Sequence, residues 1–286
     1  MKIVRIGPYA GYISTLEEAT EHGLIDNGDV VEFAPGDHRV GGWIRDLTFR
    51  ASQPGTARLV GNLEVKGSAT FVGLGFHGVI RADGPAVITL TSCTLRNPAG
   101  NLVNVKNTAQ AVLLGCDLAE SGPKFPAIWA GNGAAVTVTD SRFRDVLSEA
   151  VFLTERSALT MTNTQVLSGL IGVVGASRAE ITRSTLASAT ANLISLKENS
   201  QVFLEECDLS VAGPNHPAVW AEGESSLEIS RCSMHDLNSR GLHLTGRSTA
   251  HISGLALTGV GEDAFRLLEG ARAPVEHSTL TSITGD

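Results

Sequence analysis

Candidate acid–base residues cluster near the carboxyl end of the chain. Carboxylates and imidazoles can exchange protons with a reacting group, and an arginine can stabilise the negative charge that develops. Paired carboxylates are also what glycoside hydrolysis requires. The set therefore indicates a lyase or hydrolase centre that acts on a carbohydrate. The predicted catalytic residues are Asp236, His243, Glu262, Asp263 and Arg266.

The same charges also fit a simpler interpretation, in which they are solvated turn residues. The segment 91 residues earlier carries Arg144-Asp145, Glu149 and Phe152 at the corresponding positions, so half of the proposed set is missing there. Outward strand positions elsewhere are mostly Thr, Ser, Arg or Gln, which argues against a Ca²⁺ site built from converging carboxylates. The sequence predicts no metal site and no cofactor.

A second set of candidates consists of aromatic residues flanked by aliphatic ones. Trp129 lies between Ile128 and Ala130, and Trp220 has an equivalent setting. Neighbouring side chains of a strand point to opposite faces, so burial of the aliphatic residues turns the rings towards solvent. The predicted outward row is Glu64, Asn104, Trp129, Phe152, Val173, Ser195, Trp220, His243 and Arg266.

This aromatic row predicts a binding surface. Exposed rings can stack on sugars or anchor a protein partner. Three interpretations stay open: a ligand or partner surface, a self-association face, and rings that only pack against each other and the neighbouring turns. The predicted binding residues are Trp129, Phe152, Trp220 and His243, together with Lys124 and His216 from the two longest turns, 121–126 and 212–217.

The four cysteines each begin a Cys-x-Leu or Cys-x-Met motif, at Cys93, Cys116, Cys207 and Cys232. Their spacing lacks the Cys-x-x-Cys pattern of zinc sites, and no histidine is interleaved with them at ligand spacing. We expect a stack of buried thiols, because free cysteine is among the most buried residue types.

These candidates are organised by an internal repeat. The segment that begins at Cys116 and ends at Trp129 recurs 91 residues later, from Cys207 to Trp220. Successive copies of a small residue two places before an aliphatic one are separated by 20 to 25 residues. The pattern predicts one domain over 1–286, with a cap at 1–40, coils over 41–286 and a four-coil duplication, 93–183 and 184–277.

Each repeat contains three short bursts of alternating apolar residues. One repeat has Val136 and Val138, then Phe143, then Val151 and Leu153, separated by turn residues. Alternation with a period of two indicates strands with one buried face. Three strands in about 23 residues leave no room for a helix. The sequence therefore predicts an all-β fold, a right-handed parallel β-helix of about ten coils with three short strands each.

A short helix is expected before the coils. Ser14 is placed to cap it, Glu17 occupies the third helical position of a capping box, and Gly23 ends it. Val30 to Phe33 then forms the first predicted strand after this helix, which Pro35-Gly36 ends. Such a helix covers the apolar end of a solenoid.

The chain resembles the right-handed parallel β-helix proteins of the pectin-lyase-like superfamily. The likeness lies in the coil length, the recurring Cys/Ser-x-Leu motif and the opening from Ser14 to Gly36. It implies the fold over nearly the whole chain, whereas lyases, hydrolases, epimerases and non-catalytic binders all share it. The start is also similar to β-helix regions that accompany ATPase domains in some actinobacterial proteins. No Gly-x-x-x-x-Gly-Lys-Ser/Thr loop is present, so ATPase activity is not implied.

Composition narrows the range of partners. Thirty acidic residues outnumber 22 basic ones, and the net charge is −8. Because no basic stripe stands out, nucleic acid and anionic membranes are not expected partners. The start lacks the apolar stretch of a secretory signal, which favours a cytoplasmic location.

Two functions follow from these patterns. The first is a non-catalytic β-helix that presents its aromatic row to a protein or sugar-like partner, as a scaffold or an oligomer. The alternative is a polysaccharide lyase or glycoside hydrolase that acts in a groove on the flank of the helix.

Overall fold

The computed structural model describes residues 1–187 and 190–283. Within these ranges the chain forms 36 short strands and one helix, α1 (Leu16–Glu21). The strands visit three sheets in turn, and every pairing between strands is parallel. None of the described residues belongs to a helix long and apolar enough to cross a membrane.

Sheet A is the longest of the three. In spatial order it contains β1 (Ile3–Ile6), β2 (Val30–Phe33), β5 (Leu47–Ala51), β8 (Ser68–Val72), β11 (Val87–Thr91), β14 (Gln110–Leu114), β17 (Ala135–Thr139), β20 (Ala158–Thr162), β23 (Arg178–Thr182), β26 (Gln201–Glu205), β29 (Ser226–Ser230), β32 (Thr249–Ser253) and β35 (Val275–Glu276).

Sheet B follows sheet A in each coil. It contains β3 (Gly36–Arg39), β6 (Ala57–Val60), β9 (Gly75–His77), β12 (Thr94–Asn97), β15 (Asp117–Ser121), β18 (Arg142–Arg144), β21 (Gln165–Val166), β24 (Thr185–Ala187), β27 (Asp208–Ser210), β30 (Ser233–Leu237), β33 (Ala256–Val260) and β36 (Thr279–Ile283).

Sheet C completes each coil. It contains β4 (Trp43–Ile44), β7 (Leu63–Val65), β10 (Ile80–Asp83), β13 (Val103–Lys106), β16 (Ile128–Gly131), β19 (Glu149–Leu153), β22 (Leu170–Val173), β25 (Ile194–Leu196), β28 (Val219–Ala221), β31 (Leu242–Leu244) and β34 (Phe265–Leu267). The three sheets enclose one core, so the all-β parallel β-helix is confirmed, with about 12 turns rather than ten.

Alternation along the strands builds this core. Val136 and Val138 of β17, Phe143 of β18, and Val151 and Leu153 of β19 are all buried within one coil. In-register pairing then stacks like positions from coil to coil. Each strand therefore needs only every second residue to be apolar, and the others are free to face solvent.

The corner between sheets A and B is the most regular part of each coil. Two residues, 140 and 141, join β17 to β18, and Asp140 has φ of 50°. Ser92, Gly115 and Asn163 occupy the same corner position with φ between 49° and 62°. This left-handed conformation suits glycine, asparagine and aspartate, and it turns the chain sharply between sheets.

The second corner residue explains why cysteine, serine and threonine recur at one position of the repeats. Ser141 Oγ donates a hydrogen bond to the Thr139 carbonyl, at 2.8 Å, and Cys116 Sγ donates in the same way to the Leu114 carbonyl, at 3.5 Å. Ser141 Oγ also accepts from the Cys116 backbone N–H, at 3.0 Å. We call this stack of small side chains the corner ladder. All four cysteines in it are buried and free.

Burial in the corner ladder predicts thiols that a reagent cannot reach, including Cys232, whose pKa is lowered by its hydrogen bond with Cys207. Burial raises the pKa of Cys93 to about 12 and raises that of Cys116 as well, so both remain protonated near neutral pH. We expect almost no reaction of the native protein with an aromatic disulfide reagent, and four thiols after unfolding without reductant. A count below four would contradict free cysteines, and a fast native reaction would contradict their burial.

The amino-terminal helix is present, but its cap was predicted one residue too early. Thr15, not Ser14, is the N-cap, and its hydroxyl accepts from the Glu18 N–H at 3.1 Å. Glu18, not Glu17, reaches back to the Ser14 N–H, at 3.1 Å. Ser14 and Thr15 are both residue types that cap helices. The burial of Leu16 makes it the first helical residue and therefore makes Thr15 the cap.

Candidate functional site

The outward row of sheet C is the surface on which the aromatic residues converge. Register pairing places Trp43, Glu64, Arg81, Asn104, Trp129, Phe152, Gly172, Ser195, Trp220, His243 and Arg266 along it. Sequence analysis missed Trp43 and Arg81 because the first coils have irregular spacing. All three tryptophans of the chain thus share one face.

One member of the row was assigned wrongly. Gly172, not Val173, pairs with Phe152 and Ser195, and Val173 is fully buried. The coil that contains it is three residues shorter than its neighbours, and an apolar pair of this kind does not show which residue points inward.

Gly172 and Gly131 let the two neighbouring rings lie flat against the sheet. A β-carbon on Gly172 would come within 2.7 Å of the Phe152 ring, and one on Gly131 within 2.5 Å of the Trp129 ring. Both rings are half-buried as a result. A side chain at either glycine would displace its ring, so these glycines set the shape of the surface.

Trp129 and Phe152 line a depression of about 540 Å³, which we call the Trp129 pocket. Its lining residues are Asn101, Asn104, Lys106, Lys124, Phe125, Pro126, Trp129, Glu149 and Phe152. The long turn 122–127, between β15 and β16, supplies one wall. Of the predicted binding residues, Lys124, Trp129 and Phe152 meet here.

The pocket combines apolar and polar groups. Phe125 is 44% exposed at its rim. Lys106 lies 3.1 Å from Asp83, whereas no ion pair to Lys124 is seen in the described part of the chain. Glu149 accepts a hydrogen bond from the Ser148 hydroxyl. The pocket therefore offers ring faces together with a free ammonium, amide groups and a carboxylate.

Sequence analysis missed Phe125, Lys106 and Glu149 as pocket residues. Phe125 stands in the repeated segment, but no pattern shows which way a turn residue points. Lys106 and Glu149 end and begin their strands, where the alternation that identifies outward residues is weakest.

The second aromatic pair is arranged differently. The rings of Trp220 and His243 stack at 4.2 Å between centroids, with planes 6° apart. Trp220 Nε1 donates to Glu222 at 3.1 Å, and Glu222 also pairs with Lys197 at 3.1 Å. One face of each ring is thus covered by the other ring. His216 is exposed on the turn 211–218 and does not line the Trp129 pocket.

His243 is not the exposed residue that its position predicted. It is 8% exposed, because Trp220 covers its ring, and its Nδ1 has no hydrogen-bond partner in the described structure. Burial lowers its pKa, and the nearby Arg266 and Arg240 lower it further. A neutral, covered imidazole is poorly placed to exchange protons with a substrate.

The proposed catalytic residues fall into two groups rather than one. Asp236 lies on sheet B, where its side chain is 75% exposed and 2.8 Å from His235 Nδ1. The opposite ring nitrogen of His235 lies 3.0 Å from Asp208. Asp236 therefore belongs to a histidine–carboxylate cluster outside the sheet that carries His243.

The other group surrounds Arg240. Its guanidinium pairs with Glu262 and lies 3.4 Å from Asp263. Arg266 is exposed and adjoins His243 in the neighbouring strand. The two carboxylates thus share one arginine, an arrangement that fixes the turn between sheets B and C. Within the described residues, no group of three or more His, Cys, Asp or Glu side chains is arranged to hold a metal ion.

The two histidines predict opposite pH dependences of stability. Contact with Asp236 and then Asp208 raises the pKa of His235, so its contribution is complete below pH 6.5 and is lost as pH rises through the raised value. Burial lowers the pKa of His243, so stability is lost as pH falls from 6.5 through the lowered value.

Urea denaturation between about pH 5 and 8 separates the two contributions. The His235→Gln variant should be less stable than the wild type mainly at acidic pH. The His243→Gln variant should not show the loss of stability that protonation of His243 causes in the wild type as pH falls. Parallel pH profiles for both variants would contradict the assignment.

Comparison with known proteins supports the architecture. The family described as right-handed beta helix region matches residues 168–285. The chain is a right-handed parallel β-helix. Comparison with curated proteins finds no matching sequence.

Solved structures share this β-helix at low sequence identity. The catalytic domain of a GH87 alpha-1,3-glucanase in complex with nigerose has a TM-score of 0.62 and 12% identity over 100% of this chain. This chain covers 66% of the length of that glucanase domain. The A-module of an Azotobacter vinelandii mannuronan C-5 epimerase has a TM-score of 0.57 and 13% identity, covering 95% of this chain and 94% of its own.

A third similar structure is a mannuronic acid specific polysaccharide family 6 lyase from human gut microbiota. Its TM-score is 0.53 and its identity 14%, covering 93% of this chain and 82% of its own. At such identities the likeness establishes the fold alone. The three similar proteins are all carbohydrate-active enzymes.

Proposed function

We propose that this β-helix binds a glycan in the Trp129 pocket. The observation that carries the proposal is the pocket itself, where two half-buried rings and a third at the rim surround polar groups. Its volume of about 540 Å³ lies within the range of small-molecule sites. The flat faces of Trp129 and Phe152 suit the apolar face of a sugar ring.

The polar lining supplies groups that orient a bound sugar. Asn101 Nδ2 is already committed to the Pro126 carbonyl, at 2.7 Å, which fixes the long turn against the coil. Asn104 and Lys124 can donate to sugar hydroxyls or to a sugar carboxylate, and Glu149 can accept from hydroxyls. The similar structures act on neutral glucan or on mannuronan, so both kinds of sugar are candidates.

The pocket favours binding over catalysis. Glycoside hydrolysis usually requires two carboxyl groups about 5 to 9.5 Å apart on either side of the scissile bond. Glu149 is the one acidic residue in the described lining of the pocket. A single carboxylate held by Ser148 can bind a hydroxyl but does not provide the acid–base pair.

Isothermal titration against a panel of oligosaccharides tests the proposal. The panel contains alpha-1,3-linked glucose oligomers and mannuronate oligomers, and each sample is afterwards analysed for shortened products. Saturable binding without new products is the expected result. Absence of binding throughout the panel would contradict the proposal, as would a dimer, measured by light scattering, that Trp129→Ala converts to a monomer.

A carbohydrate-active enzyme is the second candidate, favoured by the similar structures and by the acidic pair at Arg240. In this case Glu262 and Asp263 act on a glycan that reaches the turn beside His243. Turnover of any panel member that disappears in the Glu262→Gln/Asp263→Asn variant would establish it. Turnover that persists would place catalysis elsewhere.

A further inference from the structure

A second depression lies at the amino-terminal end of the coils, between α1 and strand β4. Its volume is about 690 Å³. It is lined on one side by Leu16, Glu17, Thr20 and Glu21 of the helix and on the other by the segment from Arg39 to Arg45. We call it the cap groove, because one wall is the helix that covers the end of the core.

The floor of the cap groove is apolar. Leu16 and Ile44 are buried, and Ile25, Val40 and Leu47 are half-buried against the core. Trp43 stands at the rim with 67% of its surface exposed, whereas Trp129 and Trp220 are half-buried. A ligand that covers this floor would bury apolar surface already assembled by the fold.

The groove also contains an open sheet edge. Strand β4 is the last strand of sheet C, with β7 on its one paired side. The Glu64 N–H donates to the Gly42 carbonyl, at 3.0 Å, and Trp43 is the register partner of Glu64. In a parallel ladder this pattern turns the Trp43 N–H and C=O away from β7. Neither group has a hydrogen-bond partner among residues 1–187 and 190–283.

Charged side chains of both signs line the groove. Glu17 and Glu21 are four residues apart on α1, so they share a face of the helix. Arg39 and Arg45 lie on the opposite side. In the described structure none of these four forms an ion pair, and Arg45 donates only to the Lys66 carbonyl, at 3.5 Å.

We propose that the cap groove binds an extended peptide segment of a partner protein, which adds a strand to β4. An extended peptide presents N–H and C=O groups at the spacing of a strand, so it can pair with the free Trp43 groups. Every second side chain of the peptide points towards the core and packs against the apolar floor of the groove. Small molecules and sugars match the floor or the edge but not both.

Charge selects a basic peptide. Glu17 and Glu21 on the helix wall form no ion pair in the described structure, whereas Asp26 is already paired with Lys2 at 2.8 Å. Arg39 and Arg45 balance the two free glutamates, so the preference for a basic peptide rests on the net charge of −8 that the whole chain carries. The peptide site is independent of the glycan site, since the two share no residue.

Fluorescence anisotropy with a labelled peptide tests the proposal. The probe is acetyl-Lys-Val-Lys-Val-Lys-Val-Lys-amide, and its two controls are the same peptide with alternate amide nitrogens methylated and its glutamate counterpart. The probe should bind wild-type protein, and both controls should bind at least about tenfold more weakly. Equal binding of the methylated peptide would overturn strand addition, and equal binding of the glutamate peptide would overturn the charge assignment.

Three variants locate the binding. Trp43→Pro removes the edge N–H and should lower affinity by at least about tenfold, more than Trp43→Ala, which keeps it. Glu17→Lys/Glu21→Lys should also weaken the probe. Leu147→Ala, which removes a 71% exposed side chain elsewhere, should have no effect. Circular dichroism checks folding, and the methylated peptide decides the question on wild-type protein if Trp43→Pro fails to fold.

Discussion

Replacing Trp129 by alanine is expected to weaken glycan binding by at least about tenfold, which corresponds to about 1.4 kcal/mol. The ring forms the apolar platform of the Trp129 pocket, and its loss also leaves Gly131 uncovered. Stacking of an aromatic ring is worth about 0.5–1.5 kcal/mol beyond the area that it buries. Titration of the best-binding oligosaccharide measures the change, and circular dichroism checks that the fold is intact.

Trp220 provides a matched control on the same face of the helix. It occupies the same row four coils later, but its ring stacks on His243 and does not line the pocket. Trp220→Ala should therefore leave glycan affinity within about twofold of the wild type. If Trp220→Ala weakened binding as much as Trp129→Ala, the ligand would extend along the whole row rather than occupy one pocket.

Replacing Leu118 by alanine is expected to lower the free energy of unfolding by about 2–5 kcal/mol. Leu118 is fully buried in β15 and is paired in register with Leu95 and Phe143 on either side. Removing its side chain leaves a cavity that the stacked coils cannot close, because each strand is held by both neighbours. Urea denaturation followed by circular dichroism measures the loss.

Thr137→Ala is the control for the inward and outward alternation. Thr137 lies between buried Val136 and Val138 on β17 and faces outward, so its replacement should change stability by no more than about 0.5 kcal/mol. A larger loss at Thr137 than at Leu118 would mean that the strands bury the opposite face.

The fold was predictable because every coil repeats the same physical requirement. Alternation at Val136 and Val138, a turn at Asp140 and a small corner residue at Ser141 each restrict the chain locally. Repetition then turns these weak local preferences into a strong signal for one architecture. The duplication of 93–183 in 184–277 remains a prediction from the sequence.

The candidate site was less predictable, because contacts between coils decide it. The sequence pattern placed His243 in the outward row correctly, but burial by the Trp220 ring depends on how two side chains pack. It also grouped Asp236 with Glu262, although Asp236 lies on strand β30 against His235 and Glu262 lies in a turn, paired with Arg240. Proximity along the chain does not predict proximity across a three-sided coil.

The corner ladder has a consequence for how recognition can vary. Corners between sheets A and B keep two residues in nearly every coil, and most of the corner side chains bond backwards to the strand that they leave. Turns between sheets B and C range from two residues at 61–62 to eight at 211–218. Insertions are thus tolerated along a seam that borders the aromatic face, so new specificities can be grafted there while the corner ladder stays constant.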